Sequence, residues 1–99
     1  RWTGRDILSV SRQVVVADPL GLHARPAAEF VERARTYACE ITIENDGSVG
    51  NCKSLLSVLK LGIAHGTVVT IIATGEDAEN AVASLVALLK AGAPRPEPR

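Results

Sequence analysis

Aromatic side chains are scarce in this chain: Trp2, Phe30 and Tyr37 are its only ones. That scarcity leaves no platform on which successive bases could stack, so a nucleic-acid partner is not expected. Net charge is missing too, because eleven basic residues balance eleven acidic ones. No global field then steers the chain to a polyanion or a membrane surface, and any electrostatic function has to be local. There are only two cysteines, Cys39 and Cys52, and two histidines, His23 and His65. Two thiols are too few for a disulfide framework; a single bridge remains open, and two free buried thiols are the preferred alternative. The same paucity of ligands argues against a zinc site, so neither a metal nor a cofactor is expected. No apolar run approaches the ~20 residues that cross a bilayer and no signal-peptide pattern opens the chain, so a cytoplasmic protein without membrane contact is expected. With 99 residues there is material for one two-layer core and little more, which leaves no room for a deep enclosed active site.

What is present is an alternation of strand and helix signals between two atypical ends. Residues 1–12 have no clear period, although Ile7, Leu8 and Val10 could pack onto a neighbour, and residues 93–99 alternate proline with charge like a stiff linker. The chain begins with Arg rather than Met, as expected of a mature fragment or an excised piece of a longer polypeptide. The body, residues 13–92, opens with the β-branched run Val14-Val15-Val16-Ala17, which stops at the turn-forming pair Asp18-Pro19. From Ala24 the period changes, since Ala27, Phe30, Val31 and Ala34 fall on one helical stripe with Glu29, Glu32, Arg33 and Arg35 opposite. Residues 40–44 alternate like a half-buried strand, Asn45-Asp46-Gly47-Ser48 suits a hairpin, and Val49 starts the return strand. Ser54 to Leu61 reads as a short helix ended by Gly62, and Thr67 to Ala73 as the strongest strand. Glu76-Asp77 opens a last helix with a stripe of Ala78, Ala81, Val82, Leu85, Leu88 and Leu89 before Gly92. The order βαββαβα predicts an α+β open-faced sandwich. It is a four-stranded, mostly antiparallel sheet with three helices, two long and one short, on one face.

The chemistry concentrates in Leu20-Gly21-Leu22-His23-Ala24-Arg25-Pro26-Ala27. Pro26 has no N–H and therefore belongs in a first helical turn, which places His23 near the N-cap, while Gly21 allows a sharp turn into the helix. The free first-turn amides, those of Ala24 and Arg25 among them, form an anion cradle over His23. The positive end of the helix dipole favours a neutral, nucleophilic imidazole and, after phosphorylation, favours the added negative charge by ~0.3–1 kcal/mol, or ~2 kcal/mol in a sheltered geometry. Arg25 carries a planar guanidinium fork suited to phosphoryl oxygens. A lone histidine before a helix is ordinarily a cap, but a cap requires none of these neighbours. His65, in Ala64-His65-Gly66, has no comparable setting and reads as a loop residue.

With the motif Gly21-Leu22-His23-Ala24-Arg25-Pro26-Ala27 and the second segment Lys53-Ser54-Leu55-Leu56-Ser57-Val58-Leu59, the sequence resembles HPr. HPr is the histidine-containing phosphocarrier of the bacterial phosphoenolpyruvate-dependent phosphotransferase system (PTS). The likeness spans residues 13–91 and includes Gly66-Thr67-Val68-Val69-Thr70-Ile71 and Gly75-Glu76-Asp77. It implies that His23 becomes a pros-phosphohistidine by transfer from enzyme I and donates to enzyme IIA domains in sugar uptake or regulation, with Arg25 as charge partner. Leu20 departs from members that have a small polar residue there to support the phosphoryl group, which shifts that work to backbone amides. Ser54 suits an N-cap, bonded to the amide of Leu56 or Ser57. The resemblance adds a regulatory phosphoserine at this position, made by an HPr kinase/phosphorylase in bacteria that have one. The short helix has more apolar residues than one stripe absorbs. A docking surface for the partners is therefore expected from Leu55, Leu56 and Leu59 together with Leu22 and Ala27 at the start of the first helix. No carboxylate or second histidine near the motif offers a general base, so the chain is expected to be a monomeric carrier and a substrate of enzymes, not an enzyme. The alternatives are an HPr domain excised from a fused multiphosphoryl transfer protein or a dihydroxyacetone-kinase phosphoryl donor, and a regulatory partner-binding module without turnover.

Overall fold

A computed structural model describes residues 9–91. Their elements are β1 (Ser9–Val15), α1 (Ala24–Ala34), β2 (Glu40–Asn45), β3 (Ser48–Asn51), α2 (Leu55–Lys60), β4 (Val68–Thr74) and α3 (Ala78–Ala91), the expected βαββαβα order. The sheet runs β1-β4-β2-β3 and every neighbouring pair is antiparallel. Trp2, Ile7, Leu8, Gly92 and the Pro-rich segment 93–99 lie outside the described residues.

β1 departs most from expectation. It begins at Ser9, inside the segment read as an extension, and ends at Val15, before the expected limit of Ala17. Ser9, Ser11, Arg12 and Gln13 are exposed, so the first part of the strand shows almost no apolar alternation. Pairing with β4, from Ser9 opposite Thr74 to Val15 opposite Val68, holds it in place instead. Val10 packs against this chain's own core.

Strand residues on one face of the sheet (Val14, Ile41, Ile43, Val69, Ile71, Ala73) are buried, with Ile41 opposite Ala73 and Ile43 opposite Ile71. α3 lies across β1 and β4, and α1 packs against both α2 and α3. The α1 stripe of Ala27, Phe30, Val31 and Ala34 is buried as its spacing predicts, with Phe30 fully enclosed. On α3, Leu88 is only half-buried while the rest of its stripe is in the core. The β2–β3 hairpin turns through Asp46 (φ 52°) and Gly47 (φ 87°), the paired left-handed conformation whose twist matches that of the flanking strands. Cys39 and Cys52 are free and buried, and burial pushes the Cys52 thiol up to about 12.

α2 runs back along α1. Near its start, the Lys53 ammonium donates to the Tyr37 carbonyl (2.6 Å) and the Arg35 guanidinium donates to the Lys53 carbonyl (2.9 Å), just beyond the C-terminal end of α1. After its end, Leu22 N–H donates to the Ile63 carbonyl (2.9 Å), just before α1 begins. The short helix thus returns the chain to the segment that holds His23.

Candidate functional site

His23 is the N-cap of α1. Its backbone is extended (φ −90°, ψ −171°), its carbonyl accepts the Ala27 N–H at 2.8 Å, and its side chain makes no capping bond. Pro26 contributes no N–H and that of Ala27 is taken, so the free amides of the first turn are those of Ala24 and Arg25, at the positive end of the helix dipole. The His23 side chain is 42% exposed. A half-open imidazole, unused for capping and next to two free amides, can attack an electrophile and have the resulting anion held.

The segment before it is rigidly built. Asp18 closes a turn: its carbonyl accepts the Gly21 N–H (2.9 Å) and its Oδ1 accepts the Leu20 N–H (2.9 Å). Gly21 takes φ +78°, and a Cβ there would lie 2.3 Å from the Ile63 carbonyl oxygen, so both the turn and the close approach require glycine. Gly66 N–H donates to the Val16 carbonyl (2.8 Å). His65 Nδ1 lies 3.0 Å from the Asp18 carbonyl, and since a carbonyl only accepts, Nδ1 carries the proton. The residues leading into α1 are thereby strapped to the loop between α2 and β4.

Two expectations are corrected here. A carboxylate does stand near the motif: Asp18 Oδ1 is 3.6 Å from His23 Nε2, and Asp18 is the buried charged residue among those described, at 6% exposure. A second histidine is also close, through the contact of His65 with Asp18. Asp18-Pro19 signals only a turn in the sequence. The turn itself carries the Asp18 carboxylate to His23, while His65 arrives through the folding of residues 62–67 onto residues 16–22, more than forty positions away in the chain.

Arg25 is exposed in the first turn of α1 and makes no ion pair among the described residues, so its guanidinium is available. Ser54 caps α2, its Oγ accepting the Ser57 N–H at 3.2 Å. It belongs to the other end of α1 from His23, about 16 Å away by helical rise. Leu55 and Leu56 are exposed, Leu56 at 70%, as expected of a contact surface. Leu22 and Ala27, expected on that surface, are core residues instead, at 4% and 0% exposure: Ala27 begins the buried stripe of α1, and Leu22, bonded to the Ile63 carbonyl, joins the same core. Leu59 is half-buried and packs against the core. Leu20 is 74% exposed, so the surface beside His23 is more apolar than the motif alone suggests. Among the described residues there is no cluster that could hold a metal ion and no helix long and apolar enough to cross a membrane.

Comparison with known proteins agrees with this geometry. Residues 10–91 match the family model described as the PTS HPr component phosphorylation site. The chain is 43% identical over 79 residues to phosphocarrier protein HPr of Haemophilus influenzae, covering 80% of this chain and 93% of that one. It is 40% identical over 81 residues to the HPr-like protein Crh of Bacillus subtilis, covering 82% and 95%. The structure of phosphocarrier protein HPr from Bacillus anthracis superposes with a TM-score of 0.80 at 41% identity, over 82% of this chain and 96% of that one. A motif centred on an uncapped N-terminal histidine, on the fold that presents it, places the chain in the HPr family of the phosphotransferase system, phosphocarrier proteins and not enzymes.

Proposed function

We propose that His23 accepts a phosphoryl group on Nδ1 from enzyme I, itself charged from phosphoenolpyruvate, and passes it to enzyme IIA domains in sugar uptake or regulation. The observation that carries this is the His23 ring at the head of α1: 42% exposed, unused as a cap, beside the free amides of Ala24 and Arg25. Nδ1 is the acceptor because Nε2 faces the Asp18 carboxylate. Arg25 supplies the mobile positive charge and the amides the fixed one. Leu20 beside His23, and Leu55 and Leu56 on α2, supply exposed apolar contacts for docking partners, and the carrier acts as a monomer. Ser54 is a regulatory phosphorylation site for an HPr kinase/phosphorylase, acting on the docking helix at a distance from His23.

A second role, as a regulatory binding module, is favoured by the likeness to Crh, but a reactive histidine so placed favours the carrier. Incubation with phosphoenolpyruvate and purified enzyme I, followed by mass measurement, tests this. The expected gain is one phosphoryl group, lost on brief acid treatment and absent from His23→Ala. A gain that survives acid or the substitution, or none at all, refutes it. Arg25→Ala should slow transfer about 10- to 100-fold with the fold intact, the value of one charge-assisted hydrogen bond.

A further inference from the structure

Resting on the carrier role of His23, we propose that Asp18 is a positioning residue for the phosphoryl exchange: its carboxylate stands at the Nε2 side of the His23 ring, favours the ring with its proton on that nitrogen and balances the charge acquired when Nδ1 is phosphorylated. The geometry supports this on three counts. Asp18 Oδ1 lies 3.6 Å from His23 Nε2, nearer than any other acidic oxygen among the described residues. The Asp18 side chain is 9% exposed and its carboxylate is fixed by the Leu20 N–H, so it keeps its place as the ring reacts. Its backbone is pinned in turn by Gly21 N–H and His65 Nδ1, both donating to the Asp18 carbonyl. An anion here would repel a phosphoryl group, yet it faces the opposite ring nitrogen. It therefore does a different task from the polar group missing at Leu20.

Atoms and electrons balance through the exchange. The Nδ1 lone pair forms the N–P bond while the bond from phosphorus to the donor breaks, its electron pair leaving with the donor. The ring keeps its Nε2 proton and so becomes cationic next to the Asp18 carboxylate. In the onward transfer the N–P electron pair returns to Nδ1, and the departing group is a neutral imidazole. Without the Nε2 proton it would be an imidazolide anion, a far poorer leaving group. By favouring the cationic ring through its nearby charge, Asp18 keeps the phosphoryl group transferable to higher pH. The titratable groups around Asp18 are His23 and Glu29 of α1 and His65 of the loop before β4; α3 contributes only Leu88 and Leu89 to the small cavity that Asp18 and Glu29 line.

The test uses the whole chain phosphorylated chemically with phosphoramidate, so that no partner enzyme is needed, with phosphorus NMR separating His23 from His65. The rate of loss of the His23 phosphoryl group is followed against pH. Asp18→Asn keeps an oxygen for the Leu20 N–H and removes only the charge. It should move the profile to lower pH by about one unit and slow loss about five- to tenfold on its alkaline side, the effect of a unit charge at 3.6 Å across a water-like dielectric. Glu29→Gln, which removes a charge from the same cavity, should leave the profile in place. A profile for Asp18→Asn that superposes on the parent overturns the proposal. Should that variant not fold, ring-nitrogen NMR of the unmodified parent decides: a proton on Nε2 upholds the assignment, and one on Nδ1 refutes it. Failure of the enzyme I experiment with a shifted lability profile would refute the carrier role alone.

Discussion

Gly21→Ala tests whether the close approach beneath His23, and not merely a left-handed backbone, demands glycine. Gly62 is the control, because it has φ +59° with nothing within 4 Å of the point a Cβ would occupy, whereas Gly21 has φ +78° and the Ile63 carbonyl oxygen 2.3 Å from the same point. A left-handed L-residue costs about 1–2 kcal/mol, partly offset by the lower entropy of the unfolded alanine variant, so Gly62→Ala should lose about 1 kcal/mol. At Gly21 the obstructing atom is backbone oxygen, which cannot rotate away. The loop has to retreat, which breaks the bond from Leu22 N–H to the Ile63 carbonyl and adds about 0.5–1.5 kcal/mol to any residual overlap. The total comes to about 2 kcal/mol before any residual overlap. In thermal melts that corresponds to a loss of at least about 8–16 °C for Gly21→Ala against about 4–8 °C for Gly62→Ala. Urea titrations with unchanged slopes would confirm the order. If the two variants melt within about 2 °C of each other, the close approach contributes nothing and the argument fails.

Two further predictions concern residues away from His23. Cys52 is raised from 9.0 to about 12 by burial, so the folded state favours the neutral thiol; the resulting stability is complete below pH 9 and is lost as pH rises from 9 to 12, at up to ~1.4 kcal/mol per pH unit. Urea unfolding across that range should show the decline in the parent and a weaker one in Cys52→Ala, and equal slopes would refute the assignment. Ser54→Ala removes the cap of α2 and should cost about 1 kcal/mol in chemical denaturation, whereas Ser54→Asp, which can still accept from the Ser57 N–H, should cost less. If both cost the same, the hydroxyl is not acting as a cap.

The helices and most strands are legible in the sequence because their signals are local. The α1 stripe, the Asp46-Gly47 turn and the Ser54 cap each depend on residues within a few positions of one another, and each appears in the structure as spacing and turn chemistry predict. The limits of β1 are not legible, because Ser9 to Gln13 carry no such signal and are held by strand pairing across more than fifty residues. Ala27 lies on the apolar stripe that the sequence itself assigns to the core, so its reading as a surface residue conflicts with that period, whereas the burial of Leu22, bonded to the Ile63 carbonyl, depends on a distant loop.

By itself the sequence determined the helix that begins after His23, the proposed phosphoryl acceptor, because Pro26, Gly21 and the apolar period are local instructions about where a helix can begin. The tertiary structure alone decided what surrounds that residue. His65 and the Ile63 carbonyl reach the site only when residues 62–67 fold back onto the segment before α1, a contact not encoded in any neighbouring pattern, whereas Asp18 is placed by its own turn through the Leu20 and Gly21 amides.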